Sequence, residues 1–116
     1  MERIKYLENK KKSNLNFKLQ VEIPFSISIS NKLSDKFNFI TKNDNDDVSK
    51  VLRKILLKKL NLKDKREFDL LFEEDINNTR DKIYERLHIN RANSFSKIMT
   101  EEVTIYMKKR GYKDEN

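Results

Sequence analysis

The sequence predicts a mainly α-helical chain with a short N-terminal β-strand. Three observations carry this. Residues 15–29, L-N-F-K-L-Q-V-E-I-P-F-S-I-S-I, place an apolar side chain at every odd position, the two-residue period of a half-buried strand. Pro24 stands inside that alternation and limits how far one strand can run. Beyond residue 47, apolar residues recur at helical spacings in four successive stretches. The alternative is an α+β chain, winged-helix-like, with a small β-sheet in its N-terminal half.

Taken in order, residues 1–14 read as a basic, mobile arm, because Lys10-Lys11-Lys12 and Ser13-Asn14 offer nothing to bury. Fifteen residues in one strand would span about 50 Å, far more than the usual ~17–20 Å. The strand is therefore placed at Phe17–Ile23, ended by Pro24. From there Phe25, Ile29, Leu33, Phe37 and Ile40 fall on one helical face. A helix over 25–40 competes with a rival reading, strands at 25–30 and 36–41 around a turn at 31–35, because S-I-S-I-S has poor helix propensity. K-N-D-N-D-D (42–47) is a polar turn supplying N-cap residues. Val48, Val51, Leu52, Ile55, Leu56 and Leu60 define the clearest helix, with Lys50, Arg53, Lys54, Lys58 and Lys59 on its other side. A further helix over 65–76 follows Asp64 and Glu67, which have capping-box spacing. Another spans 79–88, with Ile83 and Leu87 inward. The last, 94–110, carries Phe95, Ile98, Met99, Val103, Tyr106 and Met107, and Gly111 is a ready residue for its C-terminal cap. V-S-K-V-L (48–52) matches F-S-K-I-M (95–99) at a shift of 47 residues. The preferred reading is two amphipathic helices with similar starts, a degenerate duplication the alternative.

Composition narrows the function classes. The 116 residues are 36% hydrophobic and 39% charged, enough for one domain. No Cys and a single His leave no zinc cluster, and one Gly leaves no glycine-rich phosphate loop. Glu73-Glu74 and Glu101-Glu102 read as solvated helix faces rather than acid–base pairs. His88 reads as structural or surface, and Tyr84, Tyr106 and Tyr112 as packing residues. The expectation is a protein with no catalytic residues, no metal and no cofactor. No apolar run reaches the ~18 residues that cross a membrane, and the N-terminus lacks the apolar core of a signal peptide, so a cytoplasmic location without membrane partners is expected.

Net charge is +7, which favours polyanionic partners. Its distribution is uneven. Residues 1–18 hold six Lys/Arg against two Glu, residues 48–66 hold eight against one Asp, and residues 67–78 hold five acids and no base.

A lone strand needs a partner for its backbone N–H and C=O groups. With no other strand in the chain, the partner would be the same strand of a second copy, antiparallel by two-fold symmetry. Lys18, Gln20 and Glu22 would then form an outward polar stripe on a ribbon of the right width for the DNA major groove. L-Q-V-E-I-P, a helix, an Asn/Asp turn and D-V-S-K-V-L-R-K-I-L-L-K-K-L together resemble the ribbon-helix-helix (Arc/MetJ-like) DNA-binding family. The three later helices resemble the layout of ParR-type plasmid centromere-binding proteins. The resemblance implies a ribbon-helix-helix module over 15–62, a C-terminal helical module over 63–111 and a tail at 112–116. It implies a homodimer on double-stranded DNA, serving plasmid maintenance (partition or conjugation) or transcriptional repression. Lys18, Gln20 and Glu22 are its implied base readers. The start of the second helix, with Ser49 and Lys50, is its implied phosphate clamp. Lys10, Lys11, Lys12, Arg53 and Lys54 are further candidate phosphate contacts on charge alone. Each also has a plainer reading as a solvated residue. Two other functions compete: a winged-helix-like DNA reader, and an adaptor that binds another protein through the acidic segment and the C-terminal helices.

Overall fold

A computed structural model of the chain describes residues 12–111. Its described elements are two strands, β1 (Lys12–Lys18) and β2 (Pro24–Ser30), then helices α1 (Asn31–Asn43), α2 (Val48–Lys59), α3 (Lys65–Phe72), a 3₁₀ turn (Ile76–Asn78), α4 (Thr79–Arg86) and α5 (Ala92–Lys109). The chain is mainly helical with a small antiparallel sheet at its N-terminal side, as the sequence predicts.

The strand boundaries differ from the expected Phe17–Ile23. The alternating stretch folds back on itself: β1 and β2 form an antiparallel hairpin with Phe17 opposite Phe25 and Lys18 opposite Pro24. Leu19 N–H donates to the carbonyl of Ile23 at 3.2 Å, and Glu22 N–H to that of Leu19 at 2.9 Å. Gln20, Val21 and Glu22 are thus the loop, and Glu22 takes φ +61°, the left-handed conformation that closes a three-residue hairpin. Pro24 opens β2 instead of ending a strand. Its pair with Lys18 is one whose backbone groups point away from the partner strand, so the missing N–H leaves no ladder bond unmade. β1 therefore finds its partner within the chain, and the backbone requirement that pointed to a ribbon shared by two copies is met without a second copy. β1 also begins at Lys12, so Lys12, Ser13 and Asn14 are strand rather than arm. The remaining arm residues, Lys10 and Lys11 among them, and the 112–116 tail lie outside the described residues.

Phe25–Ser30 are strand, so the expected helix over 25–40 begins only at Asn31. Ser30 is the last residue of β2 and the N-cap of α1, its hydroxyl accepting from Leu33 N–H at 3.2 Å. Both periods put Phe25 and Ile29 inward, which is why they competed. The rival reading is right for 25–30 and wrong for 36–41, which lies in α1. With seven residues in each of two strands, the chain holds about twice the strand that a ribbon shared between two copies would draw from each.

Three of the later helices, α2, α4 and α5, fall close to their predicted ranges, but α3 stops at Phe72, four residues short of the expected 76, so Glu73 and Glu74 are turn rather than helix face and Ile76 begins the 3₁₀ turn. Asp64 caps α3 by accepting from Glu67 N–H at 3.0 Å, and Glu67 reaches back to Lys63 N–H at 2.9 Å. Three helices end in left-handed residues other than glycine. Asn45, Asn61 and His88 have φ of +56°, +61° and +59°. After each, the next N–H returns to a carbonyl in the last turn: Asp46 to Thr41, Leu62 to Leu57, Ile89 to Tyr84. That is the Schellman arrangement, and it gives His88 a backbone role. Gly111 (φ +89°) serves α5 in the predicted way.

One hydrophobic core joins the hairpin to α1–α5. Its centre is aromatic: Phe95 of α5 lies 5.0 Å from Phe25, 6.5 Å from Phe17 and 5.7 Å from Tyr84 between ring centroids. Both residues 15–62 and 63–111 contribute to this core. Among the described residues no helix is long and apolar enough to cross a membrane.

Candidate nucleic-acid interface

The hairpin has two unlike faces. Leu15, Phe17, Phe25, Ile27 and Ile29 are buried. Asn14, Asn16, Lys18, Ser26, Ser28 and Ser30 are exposed and contain no carboxylate. Asn14 and Ser28 pair across the strands, Ser28 Oγ donating to Asn14 Oδ1 at 3.0 Å.

Side chains cover part of each outer edge. On β1, Ser49 Oγ donates to the carbonyl of Asn16 at 3.2 Å. Arg53 forks onto the carbonyl of Lys18 through Nε at 3.1 Å and Nη2 at 2.6 Å. On β2, Ser28 N–H donates to Ser96 Oγ at 3.0 Å and Arg80 Nη2 to the carbonyl of Pro24 at 3.3 Å. Ser49 and Ser96 are the matched serines of the 47-residue echo: one lies in the first turn of α2, the other just past the first turn of α5, and each bonds one edge of the same hairpin.

Ser49 and Arg53 are one helical turn apart and face the strand. Lys50 and Lys54 lie one position further round α2, turned away from the core, and are exposed together with Lys58 and Lys59. Ion pairs among the described residues include Lys82–Asp75 and Arg110–Asp44; none of these α2 lysines, nor Lys18, takes part in either. No side chain caps α2: its N-cap, Asp47, makes no such bond, so the first-turn amides keep unspent donors and the positive end of the helix dipole. Behind the seam, burial pushes the Asp69 carboxyl of α3 above its usual range. Lys65 and Arg53 pull it down, and Glu73 pushes it up. Its Oδ1 is covered and has no hydrogen-bond partner.

The predicted site residues divide accordingly. Lys18, Ser49, Lys50, Arg53 and Lys54 come together along the seam of β1 and α2. Gln20 and Glu22, expected on a strand, are exposed in the hairpin loop; their side chains leave the ribbon at its tip rather than striping its face. Lys12 is at the opposite end of β1, paired with Ser30, about 20 Å from Lys18 along the strand. Arg53, expected on phosphate, and Ser49 both spend donors on β1 carbonyls. Sequence reasoning missed Asn16 and Ser26, whose even parity matches that of Lys18, and Arg80, which nothing in the sequence tied to the hairpin. Among the described residues no group of His, Cys, Asp and Glu side chains could hold a metal ion. No protein-family model matches the chain, and neither a curated protein nor a solved structure does.

Proposed function

We propose that the protein binds double-stranded DNA, without catalysis or cofactor and in the cytoplasm, using its own hairpin as the two-stranded ribbon. One observation carries the reading: a polar, acid-free ribbon face lies beside a helix whose outward lysines are free of ion pairs. A two-stranded ribbon fits the major groove. Asn16, Lys18 and Ser26 supply donors and acceptors for base edges, while Lys50, Lys54 and Lys58 supply charge for phosphates. Gln20 at the tip remains a base-edge candidate, and Glu22 beside it opposes approach to phosphates. Plasmid maintenance and repression are both roles for such a module.

The test is a fluorescence-anisotropy titration of duplex DNA at several salt concentrations. With four to six neutralised phosphates, log K falls against log salt with a slope of about −0.9 per contact. Lys54→Ala weakens specific and non-specific binding alike and removes one contact from the slope. Absence of binding at low salt refutes the reading. Selection of sites from random duplexes, with stoichiometry measured, tests the homodimer: a palindromic site taking two copies supports it.

A second reading has its own observation. Leu70, Leu71 and Ile76 are 67%, 42% and 48% exposed within the acidic stretch 67–78, a surface suited to a basic, amphipathic protein partner.

A further inference from the structure

A cleft of about 540 Å³ crosses the outer side of the hairpin. Ser49 of α2 stands at one end and Arg80 of α4 at the other, with Asn16, Lys18, Pro24 and Ser26 between them. We propose that this cleft is an oxyanion seat that takes one phosphate group. That this phosphate belongs to the DNA backbone rests on the function proposed above.

The lining makes the case. Beside Phe17, Pro24 and Phe25 it contains two cations, the Asn16 amide, the Ser26 hydroxyl and Ser49, whose own hydroxyl already donates to the carbonyl of Asn16, and no carboxylate. Lys18 and Arg80 are exposed, and neither is in an ion pair with a described carboxylate. Arg80 is already positioned. Its guanidinium lies 5.2 Å from the centroid of the Phe25 ring, and one N–H holds the carbonyl of Pro24. A guanidinium has five N–H donors in a fixed fork, so donors remain for a ligand, and holding the side chain in place lowers the entropy lost when it binds. Ser49 brings the uncapped first turn of α2 to the opposite end. A tetrahedral oxyanion accepts from several directions at once and gains from charge-assisted bonds. A neutral or cationic ligand would leave both cations uncompensated.

The consequence for DNA is positional. Arg80 is far in sequence from the α2 lysines but on the other flank of the same ribbon, so a phosphate held here fixes the ribbon from its second edge. Arg80 would position the module without reading a base, while Lys18, between this cleft and the open ribbon face, helps hold the phosphate beside the base-edge role proposed above.

The test uses the full chain in two arms. In the first, inorganic phosphate is titrated and backbone amide shifts are followed. Shifts concentrated at Ser26, Ser49 and Lys50 in the wild type, and abolished in Lys18→Gln and Arg80→Gln, support the seat. Equal small shifts at every exposed lysine overturn it. Lys18→Gln guards against a structural effect, because only the backbone of Lys18, not its side chain, is used in the fold. In the second arm, duplex DNA is titrated against salt. Arg80→Gln lowers affinity about tenfold, as expected for loss of a charge-assisted bond, and reduces the salt slope by about 0.9. Arg80→Lys keeps the slope but not the full affinity, because an ammonium lacks the fork. Unchanged DNA binding in Arg80→Gln, with the phosphate shifts present in the wild type, overturns the DNA backbone as ligand and leaves a free phosphate. If wild-type protein binds phosphate at the cleft but no DNA, the proposed function fails while the seat stands.

Discussion

Replacing Arg53 by alanine separates holding the fold from holding DNA. The guanidinium of Arg53 makes two hydrogen bonds to one carbonyl, that of Lys18, at 3.1 and 2.6 Å. Bonds involving a charged group contribute about 1.5–3 kcal/mol each when well shielded. These are solvent-exposed and share one acceptor, and water replaces them in part, so about 1–2 kcal/mol for the pair is expected. Unfolding entropy of about 2.1 cal/mol/K per residue gives roughly 0.25 kcal/mol/K for a chain of 116 residues. The melting temperature of Arg53→Ala should therefore fall by about 4–8 °C in a thermal melt followed by circular dichroism. Arg53→Lys should recover little of this, because one ammonium cannot reproduce the fork. The salt slope of DNA binding should stay unchanged when measured well below the melting point, since the donors of Arg53 are directed at β1. A variant that melts within 2 °C of wild type and loses one contact from the slope would refute the reasoning. Arg53 would then be a phosphate ligand and its carbonyl bonds incidental.

Three further outcomes follow from local geometry. Glu22 pays for its left-handed backbone with about 1–2 kcal/mol, of which glycine recovers part against its own greater unfolded-state entropy; Glu22→Gly should raise stability by about 0.5 kcal/mol in urea unfolding and strengthen non-specific DNA binding. Phe95 is 1% exposed and touches Phe17, Phe25 and Tyr84, so Phe95→Ala should cost about 3–5 kcal/mol, read as an early urea midpoint. Asp69 has a folded pKa raised by burial, so its contribution is fully present below the ordinary carboxylate pKa and lost as pH rises through the raised value. Asp69→Asn should accordingly melt higher than wild type at neutral pH and lose that advantage in acid; an advantage independent of pH would place the effect elsewhere.

What was legible in the sequence follows from which signals are local. The helices beginning near residues 48, 65, 79 and 94 each carry an apolar stripe, and α3 carries its capping box, so their positions needed no tertiary information. Parity was also legible. Leu15, Phe17 and Leu19 face inward and Lys18 outward, and even Gln20 and Glu22 are exposed as expected. The hairpin was not legible, because L-Q-V-E-I contains none of the Gly, Asn, Asp or Pro residues that mark a turn. Glu22 adopts a conformation its side chain does not favour, and the register of the flanking strands enforces it. Pro24, the strongest punctuation nearby, misled because a proline breaks a strand only where its N–H would have been used. The division of labour on α2 was equally hidden. Arg53 and Lys54 are neighbours of the same charge, and only the position of β1 decides that one closes an edge while the other meets solvent.

The partly covered edges bear on how the ribbon can work. A strand with free N–H and C=O groups recruits another strand, and a two-stranded sheet has two such edges. Here Ser49 and Arg53 occupy carbonyls on one edge, and Ser96 and Arg80 occupy an amide and a carbonyl on the other. Strand addition by a second copy would have to displace these bonds on whichever side it approached. The polar face has no such cover: Asn16, Lys18 and Ser26 are exposed there. An arrangement that covers part of each edge and leaves the face open favours a ligand that lies across the ribbon over one that extends it. That is the geometry of a ribbon seated in a groove. Self-association through a strand edge would have to break these bonds, so a homodimer contact is expected on another surface, and disrupting it need not disturb the hairpin.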